Sequence, residues 1–89
     1  MPHIVAPSLL SADFASLQAA VERVDKSAAP WLHLDVMDGV FVPNISFGLP
    51  VIKAIRKHTR KTFDVHLMIV EPQKFINEFS DAGADVLTV

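Results

Sequence analysis

Apolar and polar positions alternate along this chain in two stretches built to the same plan. From Trp31 to Met37, strand geometry puts Trp31, His33, Asp35 and Met37 on one face and Leu32, Leu34 and Val36 on the other. From Phe63 to Val70, Phe63, Val65 and Leu67 share one face while Asp64, His66 and Met68 share the opposite one. Each strand thus has an aliphatic side suited to lie under a helix and a side carrying imidazole, carboxylate and thioether groups. Ile4 to Leu10 reads as a shorter first strand, and Pro7 within it, unable to donate to a ladder, argues for an edge or a strand end. Ile4, Ala6, Ser8 and Leu10 share its inward face. Asp85 to Val89 begins a fourth strand.

Helical spacing fills the gaps. Ser11-Ala12-Asp13 opens a first helix, since Ser11 or Asp13 can accept from the free N–H groups at its start. Phe14, Leu17, Val21 and Val24 form its apolar stripe, and Pro30 forbids its continuation much past Ser27. Pro50 suits the first turn of a second helix, with Val51, Ile52 and Ile55 inward and Lys53, Arg56, Lys57 and His58 near its negative end. Glu71-Pro72 begins a third, with Phe75, Ile76 and Phe79 as its stripe and Gly83 as a left-handed cap. The stretch Val40–Gly48 is apolar, broken by Pro and Gly, and reads as a loop folded over a site or against a neighbour. The order βαβαβαβ predicts an α/β fold with a parallel sheet. Polar groups carried inward on the strands favour a barrel mouth over an open sheet. No glycine-rich Rossmann or P-loop fingerprint is present.

Composition narrows the function classes. The 89 residues suit one small domain, and 51% hydrophobic with 20% charged residues fits a globular chain. A net charge of -2 gives no reason to expect nucleic acid or an anionic membrane as partner. With no cysteine there is no disulfide framework, thiolate nucleophile or zinc–thiolate centre. The N-terminus lacks a basic start followed by a long apolar run, and no stretch approaches a membrane span, so a soluble, cytoplasmic protein is expected.

The chemistry concentrates at the C-terminal ends of the two matched strands. Parallel neighbours in register bring His33, Asp35 and His66 together, and two imidazoles with a carboxylate suit a divalent transition metal. Taken singly, each histidine reads rather as a hydrogen-bonded core residue, the class to which His3 and His58 are assigned unless they are simply on the surface. Met37 and Met68 are either core filler or an apolar cap over a small polar substrate. Asp38 either caps the turn before Gly39 or supports a metal-bound histidine. Asp64, deeper on its strand, reads as a structural or supporting carboxylate rather than a ligand. Ser8 alone reads as a hydroxyl bonded to nearby backbone.

Three blocks carry a resemblance: residues 6–14 (APSLLSADF), residues 33–44 (HLDVMDGVFVPN) and residues 64–68 (DVHLM), with Ala82-Gly83-Ala84-Asp85 before the fourth strand. Together they resemble the ribulose-phosphate 3-epimerase family through the whole chain, with Ala28-Ala29-Pro30 as a mild departure at a helix end. The resemblance implies a (β/α)8 TIM barrel and an isomerase of carbohydrate metabolism, in the pentose phosphate pathway, that interconverts D-ribulose 5-phosphate and D-xylulose 5-phosphate. It implies one divalent metal ion (zinc, iron(II), manganese or cobalt) with His33, Asp35 and His66 as three of four ligands, and Asp35 as one of two acid/base groups. Ser8, His66, Met37 and Met68 would then contact the substrate, a pentulose phosphate.

Such a barrel takes roughly 250 residues, so residues 1–89 correspond to its N-terminal half, ending in the fourth strand. The second aspartate, which is also the fourth ligand, the third methionine and the phosphate-binding loops would lie further on. By itself the 89-residue chain is therefore expected to be inactive, and to form a homo-oligomer or to be completed by the missing C-terminal half. The rival reading is a non-catalytic half-barrel used for assembly or metal binding. A sugar-phosphate decarboxylase relative would show an Asp-x-Lys pair, where Asp35-Val36-Met37 has methionine.

Overall fold

The computed structural model describes residues 6–9 and 14–89. Ile4, Val5 and Leu10 of the expected first strand, His3, and Ser11 to Asp13 at the expected first helix start lie outside those residues. The elements in order are α1 (Leu17–Asp25), β1 (Trp31–Met37), α2 (Leu49–Arg56), β2 (Thr62–Met68), α3 (Ile76–Ala82) and β3 (Val86–Thr88). Single 3-10 turns precede α1 at Phe14–Ser16 and α3 at Pro72–Lys74.

The three strands form one parallel sheet in the order β1-β2-β3. On the far side of β1, Ser8 forms a parallel bridge with His33, and the His33 N–H donates to the Pro7 carbonyl at 2.9 Å. The expected first strand therefore runs beside β1 at Pro7–Ser8. The order α1-β1-α2-β2-α3-β3, with a parallel bridge ahead of it, is the α/β alternation expected of a partial barrel.

Burial alternates strictly along β1 and β2. Leu32, Leu34, Val36, Phe63, Val65 and Leu67 are sealed from solvent in one cluster with Ala20, Val21, Ile52, Ile55, Phe79 and Ala82 from the helices. Each fully buried aliphatic or aromatic side chain here contributes about 1.5–3 kcal/mol of transfer free energy. The other sheet face, with Trp31, His33, Asp35, Met37, Thr62, Asp64, His66 and Met68, is only half-buried.

Two expectations about the helices need correction. Pro72–Lys74 forms a 3-10 turn and the α-helix starts only at Ile76, so Phe75 and Ile76 are 40% and 41% exposed and Phe79 with Ala82 makes the contact. The change of helix type shifts the angular position of these residues, and a single 3.6-residue stripe does not survive it. Phe14 likewise sits in a 3-10 turn, 41% exposed, with its ring edge on Phe47 at 5.5 Å. Gly83 does take positive φ (126°) after α3, although its ψ of 6° lies outside the usual left-handed well.

That glycine also makes room for a latch under the sheet. Arg56, at the end of α2, stacks over the Phe63 ring at 3.7 Å and donates to the carbonyls of Gly83, Thr59 and Lys61 and to the Asp85 carboxylate. A Cβ on Gly83 would lie 2.7 Å from Arg56 Cγ, a contact that only displacement could relieve. The Asp85 carboxylate also accepts from the Phe63 N–H at 2.8 Å, and the Asp85 N–H donates to the Phe63 carbonyl at 3.0 Å, so one arginine and one aspartate tie together the starts of β2 and β3.

Candidate metal and catalytic site

Strand register builds the site as a stack of cross-strand pairs. His33 faces Asp64, Asp35 faces His66, and Met37 faces Met68, rising toward the C-terminal ends of β1 and β2. Because side chains at every second residue share a face, all six project from the same side of the sheet. The sequence alternation that hides Leu34 and Val65 thus also lines up these polar groups.

Hydrogen bonds link the lower two pairs. His33 Nδ1 lies 2.9 Å from Asp64 Oδ2, and His33 Nε2 lies 2.8 Å from Asp35 Oδ1. The same Asp35 oxygen is 3.7 Å from His66 Nδ1, and the two imidazole rings tilt toward each other with centroids 6.4 Å apart. Each ring nitrogen of His33 thus faces a carboxylate oxygen, one on either side. Burial is the largest single influence on the imidazole and pushes its pKa down. The hydrogen bonds to Asp64 and then Asp35, with the charges behind them, outweigh it and raise the group above its ordinary 6.5.

The donor set fits a divalent cation. One ligand atom from each of His33, Asp35 and His66 lies within 4.8 Å of the others. Two imidazole nitrogens and a carboxylate oxygen suit zinc, iron(II), manganese or cobalt. His33 Nδ1 is occupied by Asp64, so Nε2 is the nitrogen that faces the other two ligands.

The loop after β1 fixes the site from behind. Ser46 Oγ accepts from the Met37 N–H at 2.9 Å and donates to the Asp35 carbonyl at 2.6 Å. Its own N–H returns to the Met37 carbonyl at 3.2 Å, and Asp38 bridges Ile45 in antiparallel fashion. Asp38 caps the turn at Gly39 (φ 79°), accepting from Val40 and Phe41 through Oδ1 and from Val70 through Oδ2. Of its two sequence readings the cap is the one seen, extended across to the loop after β2. Those bonds, Val70 first, then Val40 and Phe41, hold the Asp38 carboxyl below its ordinary 3.8. The loop itself presents Val40, Phe41 and Ile45 at 77%, 65% and 74% exposure.

The structure brings His33, Asp35 and His66 together as the sequence spacing implied, with Met37 and Met68 half-buried on the strand ends above them. Ser8 is set beside His33 by the bridge to β1. His58 stands apart on the helix layer, 3.9 Å from Glu22. Sequence reasoning passed over Ser46, whose signal is faint: a small polar residue in an otherwise apolar loop.

Comparison with known proteins now bears on this geometry. The sequence matches the ribulose-phosphate 3 epimerase family over residues 4–89. The chain belongs to the ribulose-phosphate 3-epimerase family. Among relatives, it is 56% identical over 86 residues to the ribulose-phosphate 3-epimerase of Synechocystis sp., covering 97% of this chain and 37% of that protein. It is 48% identical over 84 residues to the cytoplasmic isoform of rice, covering 94% of this chain and 37% of the relative. To the chloroplastic ribulose-5-phosphate-3-epimerase of Arabidopsis thaliana it is 51% identical over 86 residues, covering 97% of this chain and 31% of the relative. The chain thus spans about a third of the length of these relatives. No helix among the described residues is long and apolar enough to cross a membrane.

Proposed function

We propose that this chain is the N-terminal part of a metal-dependent ribulose-phosphate 3-epimerase, acting on D-ribulose 5-phosphate and D-xylulose 5-phosphate in pentose phosphate metabolism. The observation that carries the reading is the His33–Asp35–His66 cluster, on the open sheet face of a chain that belongs to this family over residues 4–89. We assign His33 Nε2, Asp35 and His66 as ligands of one divalent ion. When bound, that ion would supply positive charge that offsets the negative charge growing on the substrate oxygens as a proton leaves.

Asp35 is the base in this reading. Epimerisation beside a carbonyl removes the proton from carbon 3 on one face and returns one from the other. Asp35 Oδ1 takes the imidazole contacts, and Oδ2 is the oxygen we assign to the proton. Ser46 holds the Asp35 backbone, and His33 holds its carboxylate, so little reorganisation is needed at the moment of transfer. Met37 and Met68 exclude water from above, His66 and Ser8 contact the substrate, and the second acid comes from beyond residue 89.

The half-buried polar face and the outer edge of β3 are assigned to contacts with the rest of the barrel or with a second copy. A compact, soluble monomer of the 89-residue chain in size-exclusion chromatography would sink that assignment. The cytoplasm is the compartment we assign, supported by the cysteine-free composition and the name of the rice relative. Cell fractionation tests it, with plastid recovery as the contrary result. For the activity itself, the complete polypeptide should convert ribulose 5-phosphate to xylulose 5-phosphate, lose this on chelation and regain it with zinc, manganese, cobalt or iron(II). Undiminished conversion by protein that elemental analysis finds metal-free would remove the ion from the mechanism.

A further inference from the structure

His33 is gripped from two sides, and only one side belongs to the ligand cluster. Asp64 is the other. It lies directly across from His33 in the strand register, one layer below the Asp35–His66 pair, with its side chain 21% exposed. The single hydrogen bond of its carboxylate among the described residues is Oδ2 to His33 Nδ1 at 2.9 Å. A carboxylate placed inward on a strand whose other face is Phe63, Val65 and Leu67 has a desolvation cost, and a structural role alone would be met equally by an apolar residue. Geometry rules out Asp64 as a member of the cluster, because the ring of His33 stands between it and Asp35.

We propose that Asp64 is a positioning residue for the metal site: it holds the proton of His33 on Nδ1 and the ring in one orientation, so that Nε2 presents its lone pair beside Asp35 and His66. The argument is that of a carboxylate–histidine–metal relay. A ligating imidazole has two nitrogens, and whichever one is held as a donor decides which one coordinates. Asp64 already lies at hydrogen-bond distance from Nδ1, so the ring needs no reorientation for Nε2 to meet an ion beside Asp35 and His66. The negative charge of Asp64 also makes Nε2 a better electron donor. This inference rests on the metal-site reading above.

The test is zinc binding by the complete polypeptide, measured by chelator competition, with wild type, Asp64→Leu, Asp64→Asn and His66→Ala side by side. A supporting partner of this kind is worth about 10–100-fold in affinity. Asp64→Leu should lose that much. Asp64→Asn, whose amide oxygen still accepts from Nδ1, should lose less. Long-range nitrogen–proton correlation on zinc-loaded wild type should find His33 protonated at Nδ1 and coordinated through Nε2, a readout that needs no variant to fold. Unchanged affinity in both Asp64 variants, or coordination through Nδ1, would overturn the proposal. If wild type and His66→Ala bind zinc alike, the metal-site reading itself has failed; if only His66→Ala loses zinc, the failure is that of Asp64 alone.

Discussion

Replacing Ser46 by alanine removes one oxygen and frees the end of β1 at two points. The Met37 N–H loses its acceptor at 2.9 Å and the Asp35 carbonyl loses its donor at 2.6 Å. Each such bond contributes about 0.5–1.5 kcal/mol net, and a partly buried donor left unpaired costs about 1–3 kcal/mol. Water reaches this half-buried region and offsets part of the loss, so the expected destabilisation is about 2 kcal/mol. The loop is still fastened by the Ser46 N–H to the Met37 carbonyl and by the Asp38–Ile45 bridge, so the fold survives. What changes is the aim of the Asp35 carboxylate, three bonds from the freed carbonyl. Urea denaturation gives the first number. Steady-state kinetics of the complete enzyme gives the second: kcat should fall tenfold or more, since misplacing a reacting group by about 1 Å costs on the order of 100-fold, while KM moves little. A stability loss under 0.5 kcal/mol with unchanged kcat would refute the idea that this hydroxyl sets the geometry of the base.

Other consequences are equally direct. Gly83→Ala should destabilise the chain by about 2–4 kcal/mol, because the new methyl displaces Arg56 from its charged bonds and forces alanine to positive φ; a stability change within 0.5 kcal/mol in denaturant titration would count against the latch. Leu34→Ala, at a site with no solvent exposure, should cost about 2–5 kcal/mol, and a smaller cost would mean that the core collapses around the gap. Asp38→Ala should speed hydrogen exchange at the Val40, Phe41 and Val70 amides together, whereas protection retained at Val70 would show that the two loops are not joined through this carboxylate. The Asp38 carboxyl is depressed in the folded protein, so its contribution to stability is complete above its ordinary 3.8 and fades as pH falls through the lower folded value. Titration followed at the Asp38 carboxyl carbon by nuclear magnetic resonance should place the midpoint below 3.8, and a midpoint at or above it contradicts the cap.

The two-residue period made β1 and β2 legible before any coordinates, because burying Leu32, Leu34 and Val36 on one face leaves His33 and Asp35 no choice but the other. Cross-strand adjacency of Asp35 and His66 followed from the same logic applied to two parallel neighbours. What escaped reading depended on partners remote in sequence or on a change of helix type. Asp38 reaches Val70 across 32 positions, and nothing local in either segment announces it. Arg56 looked like a surface charge complementing a helix end, yet its stem fills the space beside Gly83 and its guanidinium covers Phe63. Phe75 and Ile76 matched a helical stripe, but Pro72 begins a tighter 3-10 turn in which that spacing points elsewhere.

The central claim is that Asp35 moves the proton at carbon 3. Incubation of the complete enzyme with ribulose 5-phosphate in heavy water tests it without waiting for net conversion. Wild type should wash deuterium into carbon 3 of the substrate pool. Asp35→Asn, nearly identical in size and unable to take up the proton, should leave the label out even when its metal content and fold match wild type. Deuterium appearing at the wild-type rate in Asp35→Asn would contradict the account.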